Sequence, residues 1–238
     1  RFLKIIEDTC VKQKGKLLIP AFSVGRTQEI VYMLDVLETY GKLPRIPVYV
    51  DSPLAVNATQ VFQSHPECFD EETLEYMLFD ANPFGFNSLK YVRHVGQSKQ
   101  INRLQDACII ISSSGMANAG RIKHHINNNI ENPNTTILIV GYCAEGTLGY
   151  CLRNGYETVK IFGRKKQVKA NVEVMSSFSA HADQDEIMDF LSEQDKTQLK
   201  GIFLVHGIPK RQVVLQEVLL EDGFQKVHIP TLGETIEL

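Results

Sequence analysis

The chain has 238 residues, 43% of them hydrophobic and 22% charged, with a net charge of −3 and a pI near 6.2. That length and apolar content suffice for one large core or two small ones, and they exclude a disordered or fibrous chain. The near-balanced charge excludes a whole-chain field for a polyanion, so any nucleic-acid contact has to come from a local patch.

The opening residues 1–11 read as a helix, with Phe2, Ile5, Ile6 and Cys10 on one face. Because the first residue is Arg1 rather than Met, the chain is expected to begin mid-protein. Gly15 stops this helix, and Lys16-Leu-Leu-Ile-Pro20 is a short buried strand that runs into a Ser23-Val-Gly25 turn. A second helix follows, with Ile30, Val31, Leu34 and Leu37 at helical spacing, and Gly41 and Pro44 end it before a strand at 46–50. The stretch 64–96, with Pro66, Pro83, acids and aromatics but no clean period, is expected to be an irregular insertion with short helices.

The strand, turn and helix order then recurs. A strand at 107–112 leads through a Gly-containing turn to a polar helix from about Ala119, and a strand at 135–140 leads to another Gly turn. Short all-apolar strands alternating with helices imply parallel pairing with both sheet faces covered, so the fold class is α/β with a Rossmann-like layer. From about Lys160 the texture changes, and the alternation in Gln167-Val-Lys-Ala-Asn-Val-Glu-Val174 predicts strands with one solvated face. A second substructure is expected from there, with helices at 183–193 and 209–220 and strands at 201–205, 227–229 and 235–238.

Five cysteines with no C-x-x-C pair argue against a disulfide framework or a thiolate zinc knuckle, and they point to a reducing, cytoplasmic setting. No apolar run approaches the roughly 18 residues of a membrane span, and no leader pattern opens the chain. No membrane is expected among its partners.

Three strand ends share one device: Ser23-Val-Gly-Arg-Thr27, Ser112-Ser-Ser-Gly-Met-Ala-Asn-Ala-Gly-Arg121, and Gly141-Tyr-Cys-Ala-Glu-Gly-Thr-Leu-Gly149. In each, a glycine allows close backbone approach and a helix start presents N–H groups to an anion. One such turn is ordinary in α/β folds, but parallel strands put all three on one edge, which suits an extended polyanion better than a single nucleotide. Arg26 and Arg121 are placed to bring guanidinium groups to the same phosphates. The candidate phosphate-holding residues are Gly25, Arg26, Ser114, Gly115, Met116, Gly120, Arg121, Gly146 and Thr147.

Two histidines stand out. His181 lies in Ser177-Phe-Ser-Ala-His-Ala-Asp183, just before a helix capped at Asp183, where it can move a proton or meet a metal. His206 follows the apolar strand and precedes Gly207, a position from which an imidazole can ligate a metal. On spacing alone each is more often a structural histidine than a catalytic or ligating one. His124 and His125 fall in a polar helix and are expected to be solvated; His65, His94 and His228 are assigned no catalytic part.

Taken in order, Ile19-Pro-Ala-Phe-Ser-Val-Gly-Arg-Thr-Gln-Glu29, Ser114-Gly-Met116 with Ala119-Gly-Arg121, Gly141-Tyr142 with Glu145-Gly-Thr-Leu148, Phe178-Ser-Ala-His-Ala-Asp183 and Val205-His-Gly207 resemble the blocks of β-CASP ribonucleases of the metallo-β-lactamase fold. Five blocks in order over nearly the whole chain are far more specific than any one. The resemblance implies a β-CASP domain over residues 1–170, followed over 171–238 by the C-terminal segment of a metallo-β-lactamase-like αββα lobe. It implies a metal-dependent RNA phosphodiester hydrolase, exo- or endonucleolytic, that takes single-stranded RNA into a cleft. A homodimer is compatible with it.

By the same resemblance His181 assists proton transfer at the scissile phosphate, Ser179 lies beside that phosphate, and His206 ligates one of two zinc ions that activate water and neutralise phosphate oxygens. The departure is that no His-x-His-x-Asp-His string occurs. With His206 as the only matched ligand, two Zn2+ ions are expected in the full-length protein and none fully bound in this chain, which is then inactive alone. The alternatives are a β-CASP paralogue that binds RNA or a protein without cutting and, ranked last because no G-x-G-x-x-G follows the first strand, a dinucleotide-binding Rossmann enzyme.

Overall fold

The computed structural model describes residues 1–175 and 182–237. The chain divides into two compact units, 1–179 and 180–238.

In the first unit, α1 (Phe2–Ile6) runs directly into a π-helical stretch, Glu7–Lys12, and the two bury Phe2, Ile5, Ile6 and Cys10 as the spacing predicts. There follow β1 (Lys16–Pro20), α2 (Arg26–Thr39), β2 (Val48–Val50), α3 (Pro53–Ser64), α4 (Glu71–Tyr76), β3 (Leu89–Tyr91), α5 (Val95–Arg103) and β4 (Cys108–Ser112). Next come α6 (Gly120–Asn129), β5 (Thr136–Ile139), α7 (Leu148–Arg153), β6 (Thr158–Ile161), β7 (Arg164–Gln167) and β8 (Asn171–Val174). Six of these strands form one sheet in the order β3-β2-β4-β1-β5-β8, and every pairing in it is parallel.

The parallel sheet follows from the strand sequences. Lys-Leu-Leu-Ile-Pro, Cys-Ile-Ile-Ile-Ser and Thr-Ile-Leu-Ile are buried at every position, because each needs cover on both faces. Alternate side chains divide between two layers. Leu17, Ile19, Ile109 and Ile111 join Ile6, Ile30, Val31 and Leu34 on one side, while Leu18, Ile110, Ile137 and Ile139 join Ile122, Ile126 and Ile130 on the other. Each such side chain removed from water contributes about 1.5–3 kcal/mol.

The stretch expected to be irregular holds more order than its sequence suggests. Leu89-Lys-Tyr91 forms edge strand β3, which pairs through its backbone to β2 and is only partly buried, so it carries no apolar run. Ahead of that stretch, helix α3 begins at Pro53 behind the Ser52 cap, whose hydroxyl accepts from the Ala55 N–H at 3.2 Å; a cap followed by proline was the available signal. The alternating stretch around 167–174 resolves into the end of an antiparallel β6–β7 hairpin and the edge strand β8. Strand β8 is the last strand of the six-stranded sheet, at its edge beside β5.

The second unit holds α8 (Gln184–Ser192), β9 (Ile202–Phe203), α9 (Pro209–Glu221) and β10 (Val227–His228), with β9 and β10 parallel. Asp183 caps α8 in a reciprocal box with Glu186, at 2.8 and 3.0 Å. Leu219, Phe224 and Val227 form its core. The expected strand at 235–238 is not seen: 235–237 have no regular structure. Among the described residues no helix is long and apolar enough to cross a membrane.

Candidate nucleic-acid interface at the carboxyl edge of the sheet

The chain leaves β1 for β2 through α2, packed on one sheet face, and leaves β4 for β5 through α6, packed on the other. Neighbouring strands β1 and β4 are thus a topological switch point, and the crevice beyond their carboxyl ends is where open α/β sheets bind ligands. The loops after β1, β4 and β5 all open onto this edge, as their sequences predict.

Hydrogen bonds join these loops into one surface. Ser52, after β2, lies 3.1 Å from the hydroxyl of Ser23 and accepts from that of Ser113 at 3.1 Å. Met116 O accepts from Gly149 N–H at 2.9 Å, and Asn118 Oδ1 from Leu148 N–H at 2.9 Å, which ties the β4 loop to the β5 loop. Gly115 lies against the Phe22 ring so closely that a Cβ would meet it at 2.8 Å. Gly120, at φ +73°, leaves no room either: a Cβ would sit 2.1 Å from Ser113 O. These two glycines are required by approach and by backbone conformation.

Of the other predicted residues, Gly25 precedes α2 at φ +79°, and Gly146 takes φ +81° just before Thr147, which caps α7 by accepting from Tyr150 N–H at 3.2 Å. Ser114 Oγ accepts from Ala119 N–H at 3.3 Å. Arg26, the first residue of α2, has its guanidinium paired with Glu29. Ser179 and His181 lie outside the described residues. His206 belongs to the second unit, exposed in the turn after β9 at φ +63°.

Arg121 does not reach into solvent as the sequence suggests. Its Nη1 donates to Asp51 Oδ1 at 2.7 Å and to Val92 O at 3.2 Å, and its Nη2 donates to Arg93 O at 2.8 Å. Asp51, fully buried at the end of β2, also accepts from Ser98 Oγ at 2.5 Å and sits 2.7 Å from His125 Nε2. The expectation that His125 is solvated is therefore wrong. It is completely buried, with Nδ1 3.0 Å from Asn102 Oδ1, because it lies one turn beyond Arg121 on the same face of α6 and both turn to the same carboxylate. Burial pushes the Asp51 carboxyl up, but hydrogen bonds from His125, Ser98 and Arg121 outweigh it and hold the group below the usual carboxylate range. This cluster was missed by sequence reasoning, although an acid ending a buried strand, two residues before a proline, was a usable sign.

Among the described residues no three His, Cys, Asp or Glu side chains are grouped so that they could hold a metal ion. His206 offers one imidazole, and these residues do not by themselves fit a dinuclear zinc centre.

A doubly wound parallel sheet with three tied glycine loops along its carboxyl edge defines an α/β domain of the Rossmann-like class. The chain belongs to the β-CASP family: the Beta-Casp domain model matches residues 27–152, and a model described as a Zn-dependent metallo-hydrolase RNA specificity domain matches 165–230. It is 36% identical to a ribonuclease of Thermus thermophilus over 99% of this chain and 52% of that protein. It is 30% identical to the transcription termination factor FttA of Methanosarcina mazei over 99% of this chain and 37% of that protein. An RNase J-like protein of Methanocaldococcus jannaschii is 30% identical over 87% of this chain and 46% of its own length. The chain thus spans about half or less of the length of these curated relatives.

Proposed function

We propose that this chain is the RNA-holding domain and part of the catalytic lobe of a metal-dependent RNA phosphodiester hydrolase acting on single-stranded RNA in the cytoplasm. The observation that carries the reading is the set of three glycine loops on adjacent strands β4, β1 and β5, tied together at one carboxyl edge. A row of such turns follows a polymer backbone better than it encloses one small ligand. The names of the relatives, ribonuclease and RNase J-like, support the choice of RNA.

In this reading Gly25, Ser114, Gly115, Met116, Gly120, Gly146 and Thr147 line the path of the RNA backbone, with Arg26 at its side. Arg121 acts indirectly, by holding the β4 loop to Asp51. Ser179 and His181 serve the scissile phosphate, and His206 is a metal ligand whose companions are supplied from outside the described residues. A bound metal pair would supply an activated water and charge neutralisation at the phosphate. The β-CASP domain is taken to end after β8, since Asn171–Val174 completes its sheet.

The test compares cleavage of a labelled single-stranded RNA by this chain and by the full-length protein, with zinc and with chelator. Metal-dependent cleavage by the full-length protein alone is expected. A zinc-loaded full-length protein that binds RNA without cutting it would mean a non-catalytic clamp and remove the roles given to His181 and His206.

A further inference from the structure

Phe22 is 48% exposed although its neighbours are not: Ala21 is 1% exposed, Ser23 9% and Thr27 1%. The exposure does not come from a loose loop. The Phe22 carbonyl accepts from the Thr27 N–H at 3.2 Å and from the Thr27 hydroxyl at 2.7 Å, and the Ala21 N–H donates to Ser112 O at 3.0 Å, which fixes the backbone on both sides. The Cδ2–Cε2 side of the ring rests on Gly115, where even a methyl group would collide with it. An aromatic ring is thus held partly in solvent at the β1–β4 switch point, on a loop that the Ser23–Ser52 and Ser113–Ser52 contacts tie to its neighbours.

We infer that the exposed side of the Phe22 ring is a stacking platform for one nucleobase of single-stranded RNA. The inference rests on the RNA reading above and adds to it a contact with a base, where the glycine loops contact only backbone. Stacking on aromatic rings is how single strands are held without sequence preference, because every base has a π-face. A base on this ring would leave its own phosphate within reach of the adjoining loops. Gly115 beneath the ring and the Thr27 bonds to the Phe22 carbonyl set its position before a base arrives.

The chain has no tryptophan, so Phe22→Trp places its one tryptophan at the platform, where it can be excited selectively at about 295 nm, beyond tyrosine absorption. Titration of this full-chain variant with a ten-residue oligoadenylate is expected to quench its emission, and an abasic oligomer of equal length should leave the emission unchanged. In parallel, Phe22→Ala should weaken oligoadenylate binding about 5- to 100-fold, as measured by anisotropy, while leaving abasic binding within about twofold. Equal oligoadenylate affinity for Phe22→Ala and the parent, or equal loss on both ligands, would overturn the stacking role while the RNA reading survives. A parent chain that binds neither oligomer would overturn both.

Discussion

Asp35 gives a prediction whose sign and size follow from its surroundings. It lies fully buried on α2, where Tyr76 donates to its Oδ2 at 2.6 Å and also lies 2.9 Å from Thr39 Oγ1; Oδ1 has no partner among the described residues. Burial raises its pKa from 3.8 to about 6; the Tyr76 bond opposes the rise, and the nearby charges of Asp80 and Glu38 add to it. A carboxyl whose folded pKa is raised contributes fully below the unfolded value, near pH 3.8, and that contribution is lost as pH climbs through 6. A rise of roughly two units at 1.36 kcal/mol each corresponds to about 3 kcal/mol lost by neutral pH. Asp35→Asn keeps an acceptor for Tyr76 and carries no charge. Urea unfolding followed by circular dichroism should show the variant and the parent alike at pH 4, and the variant more stable by about 2–3 kcal/mol at pH 7.5. With a denaturant slope of about 2–3 kcal/mol/M, the midpoint moves by about 1 M. A variant less stable than the parent at pH 7.5, or a difference independent of pH, would refute the reasoning.

The buried cluster around Asp51 gives a second prediction. Asp51→Ala strands Arg121 and His125 without their carboxylate and is expected to cost about 3–5 kcal/mol, read as a drop in the urea midpoint. Because the folded carboxyl titrates below its ordinary range, the stability it contributes is present above the unfolded pKa near 4 and disappears as pH falls below it, an acid sensitivity that Asp51→Asn should lack. Gly120→Ala forces a side chain into a positive-φ position against Ser113 O and should cost at least about 2 kcal/mol and weaken RNA binding. Gly96→Ala, in α5 with open space around it, should be neutral or slightly stabilising by the same assay.

The central strands and the edge they share were legible because burial on both faces forces uninterrupted apolar runs, and glycine at a βα turn has few other uses. Lys16–Pro20 was expected to the residue. Edge strand β3 was hidden for the opposite reason: Leu89-Lys-Tyr91 needs apolar cover on less of its surface, and its pairing is carried by backbone groups that leave no trace in sequence, whereas the alternation of Asn171-Val-Glu-Val174 showed a strand but not that it pairs with β5. Within the site, glycine positions were readable and side-chain directions were not. Arg121 and His125 looked like a solvated polar face because Asp51, 70 and 74 positions earlier in the chain, is the partner that buries them.

The central claim separates holding RNA from cutting it: the glycine-loop edge binds the strand and His206 belongs to the metal site. It is tested most directly by the full-length protein bearing His206→Ala, assayed for cleavage and for binding of the same labelled single-stranded RNA. The account predicts that cleavage is lost while affinity stays within a few-fold of the parent. Undiminished cleavage by the variant would contradict it.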